Sequence, residues 1–184
     1  MSLIVKDSGG ADFELLEAGL HPAVCSHVVD IGLHHNPISD KDNLQVVLCF
    51  ELAEKMADGR PFMQSKIYTA SLHKKANLRK DLESWRGKIF TDEELKGFDL
   101  EKLKGAQVYL NIAHKQREDK TYANITGLVK LPAGFDKIIP TGQPIPEWIL
   151  KLQQEGMAKA RDKQDAPSAQ EKPNPNISKE DLPF

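Results

Sequence analysis

Three tyrosines and a set of cations are the side chains of this sequence with the most chemistry to offer. Tyr68, Tyr109 and Tyr122 each sit in a segment rich in Val, Ile, Leu or Thr. Such segments read as strands, in which alternate residues take opposite faces. If Val108, Leu110 and Ile112 point into a core, Tyr109 and Asn111 point out. With Ile125, Gly127 and Val129 as the inward set of the next strand, Tyr122, Asn124 and Thr126 face outward, and in the earlier strand Ile67 inward places Lys66 and Tyr68 outward. One outward ring per strand, flanked by Lys66, His114, Lys115, Arg117 and Lys120, makes a stacking surface inside a cationic groove. Every nucleobase has a π-face, worth about 1–3 kcal/mol per stack, while ammonium and guanidinium groups follow phosphates without reading sequence. All three rings must share one outer surface for that chemistry. Taken singly, each ring better suits a cover for the core, half-buried with its hydroxyl in water; it is together with the basic block that they suit a groove.

A second group of cations, Lys74, Lys75, Arg79, Lys80, Arg86 and Lys88, lies on or beside a helical segment. Arg79 and Arg86 fall two turns apart on one face, where they could clamp phosphates. Trp85 could stack on a base, but Leu78 and Leu82 precede it at helical spacing, which suits a core position better. The net charge of -2 hides an asymmetry: residues 60–130 hold 15 Lys/Arg against 9 Asp/Glu, and residues 1–59 hold 3 against 10. Local rather than total charge attracts a polyanion, so the basic middle block suits a nucleic-acid partner.

Catalytic patterns are missing from the sequence. The glycines are scattered, with no Gly-x-x-x-x-Gly-Lys element to cradle a phosphate. His34 and His35 with Asp40 and Asp42 lack a third metal ligand at a defined spacing, and Asp92-Glu93-Glu94 suits the start of a helix, where carboxylates complement the dipole. Cys25 and Cys49 lie in apolar runs and read as buried free thiols. No catalytic residue, metal or cofactor is expected. No apolar run is long enough for a signal peptide or a membrane span, so a soluble, cytoplasmic protein without membrane contact is expected.

The elements that must position these residues follow from periodicity. Strand patterns cover Gly19 to Ile31, Leu44 to Leu52 and Phe62 to Leu72, with a polar, mobile loop at residues 34–43 and a hairpin turn at Asp58-Gly59. The second strand is almost continuously apolar, which suits cover on both faces or strong curvature. Helical spacing then takes over from Lys74 to Trp85, with Gly87 as a stop; Thr91 and Glu94 form a capping box, and Asp99 caps a short turn that ends at Gly105. Strands resume around Val108–Ala113 and Tyr122–Leu131. Three strands, a helical insertion and two strands predict a mainly β fold: an OB-fold, a five-stranded barrel with helix between strands 3 and 4. The domain plan is a polar lead-in (1–18), the OB-fold domain (19–140), an amphipathic helix (145–163) and a disordered C-terminal tail (164–184). Trp148, Ile149, Leu152 and Met157 are the apolar positions of that helix, which could pack on the barrel or on a sister subunit as part of a homo-oligomer.

The sequence ends in Glu180-Asp181-Leu182-Pro183-Phe184. Two carboxylates beside an aliphatic, a proline and a phenylalanine make a small plug for an apolar pocket rimmed by Lys or Arg. This tip resembles the C-terminal tip of bacterial and phage single-stranded DNA-binding (SSB) proteins. The run from Ser71 to Lys88, the tetrapeptide Gly97-Phe98-Asp99-Leu100 and the strand Tyr122-Ala123-Asn124-Ile125 are similar to segments of small phage-encoded single-stranded DNA-binding proteins, over about two-thirds of the chain. The helical insertion and the trailing helix depart from the bacterial SSB core. The resemblance implies a protein that coats single-stranded DNA in replication or recombination and recruits a helicase, primase, polymerase or nuclease through its tip. It brings no catalytic residues. An OB-fold adaptor whose tyrosines contact protein is the alternative, and a nuclease is the less favoured one.

Overall fold

β-branched and aromatic residues at alternating positions build five strands, and the structure, a computed structural model, describes residues 14–165. The strands are β1 (Gly19–Asn36), β2 (Lys41–Lys55), β3 (Pro61–Thr69), β4 (Gln107–Arg117) and β5 (Lys120–Val129). They form one antiparallel sheet in the order β3-β2-β1-β4-β5. Helices α1 (Asn77–Arg86) and α2 (Asp92–Lys96) and a 3-10 turn (Leu100–Leu103) lie between β3 and β4, and α3 (Glu147–Asp165) follows β5. Three strands, a helical insertion and two strands is the predicted order. The expected tail begins at residue 164, but α3 runs on to Asp165; residues 166–184, with the Glu180–Phe184 tip, lie outside the described residues, as do residues 1–13 of the lead-in.

The predicted closed barrel does not form. β3 and β5 approach each other, but no ladder joins them among the described residues. α1 packs against both strands instead. Its buried face, Leu78, Leu82 and Trp85, enters the core beside Phe50, and the Trp85 indole N–H donates to the Gln107 carbonyl at 2.7 Å. A helix in the gap supplies apolar cover that a closing ladder would otherwise provide.

β2 is buried on both faces, as its composition predicts. Val46, Leu48, Phe50 and Leu52 join the main core with Cys25, Val108, Leu110 and Ile112, while Val47 and Cys49 join a second cluster with Val29, Ile31 and Ile149 of α3. Each such side chain contributes about 1.5–3 kcal/mol of burial. Burial also pushes both thiols up to about 12, so they stay protonated.

Residues 34–43 are not a loose loop. Both strands run on through them, and the reversal is confined to the turn at residues 37–40. α3 holds this extension: the His34 Nε2 lies 2.9 Å from the Ile31 carbonyl and 3.0 Å from that of Leu152, the Gln153 amide donates to the Asp30 carbonyl at 2.9 Å, and Lys163 pairs with Asp42 at 2.8 Å. The trailing helix therefore packs on the sheet, over β1. Gly156 makes this possible, since a Cβ there would fall 1.8 Å from the Ile31 carbonyl oxygen, and it faces Gly32, whose φ of +75° only glycine takes easily.

Residues 130–146 cross the same outer face before α3 begins. Gln107 exchanges two hydrogen bonds with the Ile138 backbone (2.8 and 2.9 Å). The buried Glu51 carboxylate accepts from the Thr141 N–H and hydroxyl (2.8 and 2.7 Å), and the Gln143 amide donates to the Pro61 carbonyl at 2.9 Å.

Candidate nucleic-acid interface

β4 and β5 form a hairpin closed by a two-residue turn at Glu118-Asp119, where Arg117 faces Lys120 and Glu118 takes φ +52°. Val108, Leu110 and Ile112 are buried, which turns Tyr109, Asn111, Ala113, Lys115 and Arg117 to the outer face, as alternation predicts. Their partners across the ladder are Val129, Gly127, Asn124, Tyr122 and Lys120. Asn111, Lys115, Arg117, Lys120, Tyr122 and Asn124 are all exposed, Tyr122 at 46%. One face of the hairpin thus carries two of the three tyrosines, two amides and three cations.

The parity predicted for the end of β5 needs correction. Ile125 is buried, but the next inward residue is Leu128, and Val129 is exposed. A register shift between Asn111 and Ile112 inserts Thr126, whose hydroxyl donates to the Asn111 carbonyl at 3.1 Å. A one-residue bulge flips every side chain beyond it.

Tyr68 is the larger correction. It is 2% exposed and belongs to the core, while Ile67 is the exposed neighbour. Its hydroxyl donates to Asp81 Oδ2 of α1 at 2.7 Å, and the Lys66 ammonium reaches the same oxygen at 2.7 Å. Burial and the Asp81 charge together raise the phenol well above its ordinary value. The three-ring platform therefore does not exist: Tyr68 lies inside, and only Tyr109 and Tyr122 share the outer surface.

Several predicted cations are also committed elsewhere. Lys66 is held by Asp81, and Arg79 pairs with Glu83 (2.9 Å) and reaches the Leu72 carbonyl. Arg86 pairs with Glu94 and lies over the rings of Phe90 (4.5 Å) and Phe98 (5.3 Å). The Arg79 guanidinium and the Phe90 N–H hold the Glu83 carboxyl below its usual range; the Thr91 N–H and Arg86 do the same for Glu94. With side chains only 15% to 17% exposed, Arg86 and Arg79 brace the insertion rather than stand ready as a phosphate clamp. Trp85 is core. Lys74, Lys75, Lys80 and Lys88 remain exposed on the insertion. His114, although exposed, has its Nε2 2.8 Å from the Leu16 carbonyl and ties the lead-in to β4.

Sequence reasoning missed Phe135. It is 47% exposed in the non-periodic crossing segment, and its ring meets that of Tyr109 edge to face, with centroids 5.2 Å apart. A lone Phe in a stretch without strand or helix spacing gives no sign of which ring it will meet.

No family model matches the chain, and no curated protein does. The site's meaning rests on its own geometry. A cleft of about 300 Å³ lies elsewhere, between β1, β2 and the 3-10 turn, but Asp30, Asp99 and Glu101 line it and would repel phosphate. Among the described residues no group of three His, Cys, Asp or Glu side chains is placed to hold a metal ion, and no helix is long and apolar enough to cross a membrane.

Proposed function

We propose that this chain binds single-stranded DNA without strong sequence preference and without catalysis, as a phage-type SSB-like protein of replication or recombination. On this reading the sheet is an OB-type barrel left open between β3 and β5, with α1 in the gap. The observation that carries the proposal is the outer face of the β4–β5 hairpin, where Tyr109, Tyr122, Asn111 and Asn124 are interleaved with Lys115, Arg117 and Lys120. Rings accept bases of any identity, amides hydrogen-bond to base edges or sugars, and the cations follow phosphates. The similar segments at Ser71–Lys88 and Tyr122–Ile125 and the acidic tip support it. Anisotropy titration of a labelled oligo-dT tests it: binding at low salt that weakens steeply as salt rises is expected, and no binding at low salt overturns it.

Partner recruitment belongs to the Glu180–Phe184 tip in this proposal. Deleting Leu182 to Phe184 leaves DNA affinity intact, because the three residues carry no charged side chain and the hairpin cations are untouched, and abolishes partner pull-down. Loss of DNA binding on deletion would show the tip assignment to be wrong. The adaptor reading draws on one specific observation, the contact of Tyr109 with Phe135 beside exposed Val129 and Leu20, since aromatic and aliphatic side chains favour protein interfaces too. The same titration separates the two.

A further inference from the structure

Resting on the single-strand reading, we infer that Phe135 and Tyr109 form a second base-stacking station, separate from Tyr122, so that tight binding needs a strand long enough to reach both. Tyr122 lies opposite Lys115, and Tyr109 lies six residues before Lys115 on the same strand. At about 3.4 Å per residue the two rings are about 20 Å apart along the hairpin. No single base, and no pair of stacked bases, spans that distance. Phe135 turns the distal position from one half-buried ring into an aromatic corner: it meets Tyr109 edge to face at 5.2 Å, remains 47% exposed, and has Val129 and Leu20 exposed nearby. Leu20 pairs with Asn111 on β1, and Val129 pairs with Tyr109 on β5.

The two hydrogen bonds between Gln107 and Ile138 anchor the crossing segment three residues beyond Phe135, so the corner is preformed rather than assembled on binding. The cations sit at the opposite end. Lys115, Arg117 and Lys120 flank Tyr122 and the hairpin tip, which makes that end the place where a short strand is caught by charge and the corner the place where a longer strand gains a further stack. A strand stacked at about 3.4 Å per nucleotide covers 20 Å in about six steps, and an extended one in fewer.

The test compares oligo-dT of about four and about twelve nucleotides, lengths within the range one such domain covers, on the full chain and three variants. Phe135→Leu keeps apolar volume and removes the ring; Phe135→Trp keeps a ring; Tyr122→Ala removes the proximal one. Phe135→Leu is expected to weaken binding of the longer oligonucleotide at least about five-fold and leave the shorter one unchanged, with Phe135→Trp near wild type. Thermal unfolding of each variant checks that it is folded before its affinity is compared. Wild-type affinity of Phe135→Leu for the longer strand, with Tyr122→Ala weakened, overturns the second station and leaves the single-strand reading standing. Failure of the unaltered chain to bind either oligonucleotide overturns both.

Discussion

At the scale of single residues, an outward tyrosine and an inward one differ by the partner each hydroxyl finds. Tyr68 is buried because Asp81 accepts its proton donor at 2.7 Å and offsets the desolvation of the phenol; without such a partner a buried hydroxyl costs about 1–3 kcal/mol. Because the folded chain holds the phenol neutral well above its ordinary value, Tyr68 contributes to the pH dependence of stability with a definite sign. Below about pH 10 both folded and unfolded forms keep the proton and the dependence is flat; above it the unfolded form releases the proton first, so stability falls as pH rises. Tyr68→Phe should lose about 1 kcal/mol at neutral pH and show a shallower alkaline fall than the unaltered chain, as read by urea unfolding at several pH values. An unchanged alkaline slope would contradict the assignment. Tyr122 behaves oppositely: with half its surface in water, Tyr122→Ala should change stability by less than about 0.5 kcal/mol while costing about 1–3 kcal/mol of oligo-dT binding. Nothing local in Ile67-Tyr68 distinguishes which of the two faces inward, since both carry large apolar bodies. The deciding partner lies on a helix 13 residues away.

Elements were legible wherever the signal is local. The capping box of Thr91 with Glu94, the Asp99 cap and the αL glycine at Gly87 all stand where spacing puts them, because each is completed within four residues. Illegible features depend on a distant element. The β1–β2 extension through residues 34–43 is polar and looks like a loop until α3 lies along it, and the β5 parity depends on a bulge opposite Asn111. Gly156 condenses this dependence into one residue. In an exposed helix interior, Gly→Ala gains roughly 1 kcal/mol from propensity alone. Here the added methyl would collide with the Ile31 carbonyl, a backbone atom that cannot turn aside. Gly156→Ala is therefore expected to reverse the usual sign, lowering the unfolding midpoint and opening α3 to trypsin at Lys151 and Lys159; a rise in the midpoint would mean that α3 is not docked on β1.

Across the whole molecule, strand order and the place of the helical insertion follow from periodicity, but closure does not. Whether the ends of a five-stranded sheet meet depends on what fills the space between them, and Leu78, Leu82 and Trp85 fill it here. Charge divides in the same way. The sequence shows a basic middle block, yet the fold consumes part of it, since Lys66, Arg79 and Arg86 hold Asp81, Glu83 and Glu94, and leaves Lys115, Arg117 and Lys120 free of ion pairs among the described residues. Exposed charge, not total charge, sets the salt response. Each phosphate neutralised on a single strand contributes a slope of about -0.7 in log K against log salt. Three hairpin cations then give a slope of about -2, so that raising salt from about 50 to 200 mM should weaken oligo-dT binding roughly twenty-fold. The exposed insertion lysines Lys74, Lys75, Lys80 and Lys88 would steepen it if the strand runs over α1 as well. Lys115→Gln with Arg117→Gln should bring the slope to about -0.7 if the hairpin alone carries the strand. A slope unchanged by that pair of substitutions would move the strand from the hairpin to the insertion, and with it the surface on which the proposed function rests.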